Sequence, residues 1–483
     1  MTPALLLICV LAYSAVLFFI TYRTSRHATN ETYFVGNRTS KWYLVAYGMI
    51  GASLSGVTFM SVPGDVGVKN FAYLQMVLGY LVGYAVIATI LLPLYYRMNL
   101  TSIYTYLQER FGKWSYKTGA FYFLLSRVIG ASFRLYIVVN VLQIFVFDAW
   151  GIPFIATVAA FILLILLYTF QGGVKTIVWT DTLQTTFMLL AVIITIYLIG
   201  SELNLSFKDM ISSITSSPHA SIFVTDFNDK KFFLKHFFGG AFIAIAMTGL
   251  DQEMMQKNIS CKNIKDAQKN MFTFSTILLF VNILFLGLGI LLYNFASARN
   301  IPVPAHSDDL FPTIALHFLG PVAGLFFIIG LISAAFPSAD GALTALTTSF
   351  CVDFIGIKER DWTERKQVGT RRMVHVSFAV ILLAVIVYFK TAISESVLTQ
   401  LFTIANYTYG PLLGLFTFGL FTKHQVKDRF VPLIAVFPPV ICYLLNTHSK
   451  DLFTNYQFGF EILIINGALT FIGLLLIRIK IKR

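Results

Sequence analysis

The chain has 483 residues, of which 57% are hydrophobic and 12% charged, with a mean hydropathy of +0.74. That composition excludes a soluble surface, and apolar runs of about 20 residues recur from end to end, each long enough for a hydrocarbon core of about 30 Å. The net charge of +13 belongs to loops facing anionic lipid, and no basic patch with interleaved aromatics forms a separate domain, which excludes nucleic acid as a partner.

The predicted fold class is an all-α polytopic membrane protein with thirteen spans, near 3–21, 42–64, 72–97, 118–147, 152–170, 177–200, 236–256, 270–297, 321–354, 372–392, 396–422, 430–447 and 459–478. The first has no Lys or Arg before it, whereas Arg23, Arg26, Arg38 and Lys41 follow, the reverse of a secretory signal; it predicts a retained helix with its N-terminus outside. Alternating from there, roughly 26 basic residues fall on the inner side, among them Lys175, Lys257, Lys358 and the Arg478–Arg483 tail, and about 8 on the outer side. This asymmetry predicts an inner C-terminus, and the expected location is the plasma (inner) membrane, as a multi-pass protein.

Cys9, Cys261, Cys351 and Cys442 show no CxxC spacing and predict neither a disulfide nor a metal site. The second span carries Gly48, Gly51, Gly56, Pro63 and Gly64; the seventh carries Gly239, Gly240 and Gly249 ahead of Asp251, Gln252 and Glu253. Both invite unwinding. Each opens a group of five spans, and interrupted segments at corresponding positions of two halves point to a transporter site at the repeat interface. Residues 1–41 then form an added helix and inner loop, 42–200 the first repeat, 201–235 an outer loop, 236–422 the second repeat, and 423–483 two added helices.

Charged groups inside spans mark function. Arg127 and Arg134 of the fourth span lie seven residues apart, on nearly one face. Arg127 is expected to neutralise Asp181, Asp340 or Asp251, and Arg134, which lies deeper, can do the same or bind an anionic solute group. Asp181 runs straight into the sixth span. The ninth holds Ser333, Ser338 and Asp340, with Pro337 freeing the Ser333 carbonyl. Two buried carboxylates share a proton or hold a cation, so sodium and proton both stand as coupling ions. No P-loop pattern supports ATP-driven transport. A membrane-embedded transferase would need a His, Asp or metal cluster at one membrane face, whereas here the carboxylates lie inside spans.

The segment GGVKTIVWTDTLQ (172–184) resembles the hallmark of the sodium:solute symporters, supported by ASLSGVTFMSVPGDVG (52–67), LDQEMMQKNISCKNIKDAQKN (250–270), SADGALTALTTSFCVDF (338–354) and YGPLLGLFTFGLFTK (409–423). The resemblance implies a LeuT-type five-plus-five inverted repeat and sodium-coupled symport of a small polar or anionic solute by alternating access, without enzymatic activity, by a monomer. It implies a main sodium site at the carbonyls of Gly51, Leu54 and Ala334 and the hydroxyl of Ser338. A second cation site falls at Asp181 and Asp340, where Asp340 and Gly341 stand in place of hydroxyl residues. Pro337 replaces one hydroxyl of the main site. Thr58, Gln75, Arg134, Asp251 and Gln252 match solute-binding positions, and Glu253 falls at a gate where sugar carriers have tyrosine.

Overall fold

The computed structural model describes residues 2–24, 38–169, 174–357, 359–392, 396–453 and 455–479. Of the residues singled out above, Arg26, Gly172, Gly173, Lys358, Lys480, Lys482 and Arg483 lie outside them, as do the side chains of Arg23 and Lys175. A helix lies within each predicted span. The first five spans hold α1 (Pro3–Thr24), α2 (Trp42–Ser53) with α3 (Gly56–Lys69), α4 (Tyr73–Val86), α5 (Lys113–Leu142) and α6 (Phe154–Thr169). They are followed by α7 (Val174–Glu202), α8 (Phe233–Ala244) with α9 (Gln252–Ile259), and α10 (Ile264–Ala298). The remainder are α11 (Gly320–Ser349), α12 (Glu364–Ala392), α13 (Val397–Thr408) with α14 (Gly410–Phe421), α15 (Val431–Thr447) and α16 (Ile462–Leu476). Among the described residues eight helices are long and apolar enough to cross a membrane by length and composition, and the bent pair Phe233–Gly249 and Gln252–Ile259 adds a ninth.

Both interrupted spans are broken, but their glycines do not make the breaks. Between α2 and α3, Leu54 leaves the helical region (φ −86°, ψ 63°) and Ser55 is extended (φ −62°, ψ 177°). Gly48 and Gly51 instead let α2 lie against α7, where added Cβ atoms would crowd the Asp181 side chain and the Thr185 hydroxyl. Between α8 and α9 the chain bends by 66° at Leu250 and Asp251. The Asp251 carboxylate caps α9, accepting from the backbone N–H of Glu253 at 2.9 Å and of Met254 at 3.3 Å. Asp and Asn do this because their short oxygens satisfy the first orphan N–H groups of a helix. Gly240 serves packing, its Cα lying against the Met76 carbonyl of α4, a close approach only a small residue allows.

The span containing α11 is the most enclosed, with 78% of its apolar window buried. Its hydroxyl and carboxyl groups therefore face protein rather than lipid. The outer connection 201–231 is not featureless: Phe207–Thr215 is a short helix opened by a capping box of Ser206 and Asp209, and Phe71 donates its N–H to the Ser221 carbonyl.

Candidate ion and solute site

A buried chain of charges runs beside the two breaks. The Lys257 ammonium lies 2.8 Å from Asp181 Oδ2 and 3.2 Å from Glu253 Oε1. Glu253 also pairs with Arg127, whose Nη1 is 3.6 Å from Asp251 Oδ2. Tyr409 donates its hydroxyl to the same Asp251 oxygen at 2.9 Å. Arg127, Lys257, Glu253, Asp181 and Asp251 all have side-chain exposures of 3% or less. Three helices thus contribute to one network: α5 brings Arg127, α7 Asp181, and α9 the other three.

Lys257 corrects the charge count, since its place is inside the protein rather than in an inner loop. The helix α9 continues to Ile259, which turns residue 257 onto the same face as Glu253, one turn earlier. The i,i+4 spacing of Glu253 and Lys257 was the signal in the sequence that could have shown it. Arg127 neutralises carboxylates as expected, Asp251 among them.

The predicted second cation site has a different arrangement from the expected one. Asp181 Oδ2 is engaged by Lys257, while Asp181 Oδ1 is buried without a hydrogen bond. Asp340 accepts from the Gly341 N–H at 2.6 Å, and the Glu253 carboxylate fills the space over Gly341 that a side chain there would take. The Ser333 hydroxyl of α11 donates to the Tyr13 hydroxyl of α1 at 2.8 Å, so α1 borders the site. The protein's own ammonium therefore stands against the carboxylate where a free cation was expected.

At the predicted main sodium site, Gly51 and Leu54 sit at the end of α2 and Ala334 and Ser338 in the middle of α11. The Gly51 N–H donates to Thr185 Oγ1 at 3.1 Å, and that hydroxyl donates to the Asp181 carbonyl at 2.7 Å. Ser338 is fully buried and its hydroxyl has no hydrogen-bond partner. Pro337 lies inside α11 and supplies no N–H for the Ser333 carbonyl. Gln184 of α7 is a residue the sequence reading missed: it is fully buried, and neither its amide oxygen nor its nitrogen finds a partner. Gly330 of α11 abuts Ala191 of α7, so the helices that carry Ser338 and Gln184 pack directly against each other. Its position three residues after Asp181, hence on nearly the same helix face, was the available signal.

A cavity of about 70 Å³ opens beside the break of α2 and α3, lined among others by Ser55, Thr58, Tyr84, Arg127, Arg134 and Asn282. Of the predicted solute residues, Thr58 and Arg134 line it. Gln75 does not, because its amide is spent on the outer loop: it accepts from Val224 N–H at 3.2 Å and donates to the Lys231 carbonyl at 3.1 Å. Gln252 clamps the inner loop, accepting from Ile103 N–H at 3.0 Å and donating to the Thr101 carbonyl at 2.8 Å. Asp251 caps α9, and Glu253, the predicted gate, is held between Arg127 and Lys257. Arg134 differs from Arg127 in that, among the described residues, it forms no ion pair, whereas the buried Nε of each lacks a hydrogen-bond partner.

Two bent helices flanking buried charges and an enclosed polar span define a membrane carrier of the LeuT-type fold. A family model, the sodium:solute symporter family, matches residues 33–428, and the chain belongs to that family. It is 23% identical over 413 residues to the human sodium-coupled monocarboxylate transporter 2, covering 83% of this chain and 65% of the relative, so it spans just under two thirds of that protein's length. It is 21% identical over 459 residues to the sodium/sialic acid symporter NanT of Aliivibrio fischeri, covering 93% of this chain and 89% of the relative. A solved structure of a Na+-coupled sialic acid symporter in a substrate-bound outward-open state superposes with a TM-score of 0.82 at 18% identity, covering 98% of this chain and 97% of that one.

Proposed function

We propose that this chain is a secondary active transporter, coupling the entry of sodium to symport of a small organic anion by alternating access. The observation that carries this reading is Arg134, a buried guanidinium facing the cavity with no carboxylate of its own. The other two cations described beside the breaks, Arg127 and Lys257, are already neutralised by the network. Arg is suited to a carboxylate because its planar fork can donate two parallel hydrogen bonds. The names of the relatives, which include carriers of monocarboxylates and of sialic acid, support an anionic solute. Thr58 offers that solute a hydroxyl, whereas Asp251, Gln252 and Gln75 hold the helix break and the loops in place.

Sodium, as the co-transported ion, would be held by the carbonyls of Gly51, Leu54 and Ala334 and the Ser338 hydroxyl, with the Gln184 amide oxygen available to replace what Pro337 removes. Oxygen donors suit a hard cation, and a buried hydroxyl and a buried amide that both lack hydrogen-bond partners are costly unless a ligand satisfies them. Coupling requires the ion to favour one conformation, since equal affinity for both shifts nothing. The Lys257–Asp181 pair supports one sodium per cycle rather than two, and disfavours proton coupling through Asp181 and Asp340. In this reading 42–200 and 236–422 are the two repeats, the N-terminus lies outside, and a monomer works in the inner membrane.

Ser338→Ala should raise the half-saturating sodium concentration for uptake about tenfold, the loss of one ligand worth about 1.4 kcal/mol, with little change in which solutes are carried. A sodium dependence identical to that of the parent would remove Ser338 from the ion site.

A further inference from the structure

The helix α10 passes the cavity between two anchored ends. Near its start the Asn270 amide donates to Asn258 Oδ1 of α9 at 2.7 Å, and near its end the Tyr293 hydroxyl donates to the Gly64 carbonyl of α3 at 2.7 Å. Asn282, roughly midway between these anchors, lines the cavity and is 1% exposed. Its Nδ2 donates to the Leu278 carbonyl one turn back at 2.8 Å. That bond turns the nitrogen onto the helix and leaves Oδ1 buried without a hydrogen-bond partner. Of the described residues that line the cavity, Arg127, Arg134 and Asn282 keep buried polar atoms in that condition, and only the Asn282 atom is an acceptor. Met247 and, from α13, Leu401 and Phe402 supply apolar wall.

We propose that Asn282 selects the solute: its side-chain oxygen accepts a hydrogen bond from a hydroxyl of the carboxylate that Arg134 holds, so hydroxy-carboxylates are carried in preference to carboxylates without a donor. The inference rests on the symport reading above and deepens it, since Arg134 by itself accepts any carboxylate. A bound solute displaces water from the cavity wall. If it brings no donor, the Asn282 oxygen stays buried and unpaired, which counts against binding. A site built to bond a hydroxyl therefore discriminates against the analogue lacking one. A neutral hydroxyl also suits a wall that already carries two guanidinium groups better than an ammonium does. The same oxygen opposes a second carboxylate, because two acceptors would then face each other, so dicarboxylates are rejected as well. An asparagine that merely bonds its own helix is a packing device, and such a residue would leave the ranking of solutes unchanged.

The test measures thermal stabilisation of the purified full chain, in sodium, by matched acids: glycolate and acetate, lactate and propionate, 3-hydroxybutyrate and butyrate, with succinate as the dicarboxylate. In at least one pair the dissociation constant of the hydroxylated acid should be about tenfold the lower, the scale of one hydrogen bond, and succinate should bind more weakly than either member. Asn282→Leu, similar in size and apolar, should cut that preference to about twofold or less while binding the unhydroxylated acid at least as well as the parent, because no bare oxygen remains. Equal affinity within every pair in the parent overturns the inference whatever the variants do, and so does a preference that survives Asn282→Leu. Should that variant fail to fold, Asn282→Ala decides by the same comparison. If no acid of the set stabilises the parent, the anion-symport reading falls and the selection with it. If acids bind and Arg134→Ala abolishes their effect, but the pairs are equal, only the selection falls.

Discussion

Lys257→Met should be among the most damaging single substitutions in this protein, lowering stability by about 3–5 kcal/mol, because it leaves buried carboxylates without their cation. The Lys257 ammonium serves Asp181 and Glu253 together, and neither acid can reach bulk water from a site with exposure of 2% or less. Adding Asp181→Asn should return most of the loss, since the uncompensated charge is then gone as well. This is the signature of a coupled pair, and a double-mutant cycle on melting temperature reads it directly. The single variant should also show greater stabilisation by sodium than the parent, because a free cation can then take the place the ammonium vacates. A Lys257→Met protein that melts like the parent would mean that the pair contributes nothing.

Arg134→Ala should reduce uptake of small carboxylates by about thirtyfold or more, the scale of an interfacial charge pair truncated on one side, about 2–5 kcal/mol. Its effect on melting should be small, since no carboxylate of the protein depends on it. Arg134→Lys keeps the charge but loses the planar fork, so its uptake should fall between the two. Arg127→Met provides the contrast: Glu253 and Asp251 depend on Arg127, so that variant should lose stability first. If Arg134→Ala transports carboxylates normally, the cavity binds its solute by other groups. The two arginines lie seven residues apart on one helix, and only their partners separate their roles.

Hydropathy and the positions of basic residues made the helical course of the chain legible, because a bilayer imposes length and polarity on each span whatever the protein does. The two breaks were also readable, though for the wrong residues: the glycines of α2 and α8 are packing surfaces, and the chain turns at Leu54–Ser55 and Leu250–Asp251. Within the site, Asp181, Arg127, Arg134 and Asp251 announced themselves as charges inside apolar runs. Lys257 did not, because at the end of a span a lysine in a loop and a lysine turned inward look alike until the helix is followed one more turn. Gln75 and Gln252 matched solute positions by alignment of motif, but a glutamine has both a donor and an acceptor, and here the surrounding loops engage both. Gln184 was overlooked for the opposite reason. An uncharged amide in a span draws no attention until its hydrogen bonds are counted and found missing.

Uptake of small carboxylates, lactate and sialic acid among them, into proteoliposomes under an inward sodium gradient tests the central claim most directly, with sodium replaced by choline as the comparison. One sodium crossing about 100 mV gains about 2.3 kcal/mol, and a roughly tenfold gradient adds about 1.4 kcal/mol. Single-sodium symport of an electroneutral pair has only the second term available, so accumulation of a carboxylate should reach about tenfold, follow the sodium gradient and be unmoved by the membrane potential. Uptake that persists undiminished in choline, or that follows an imposed pH gradient instead, would contradict the account.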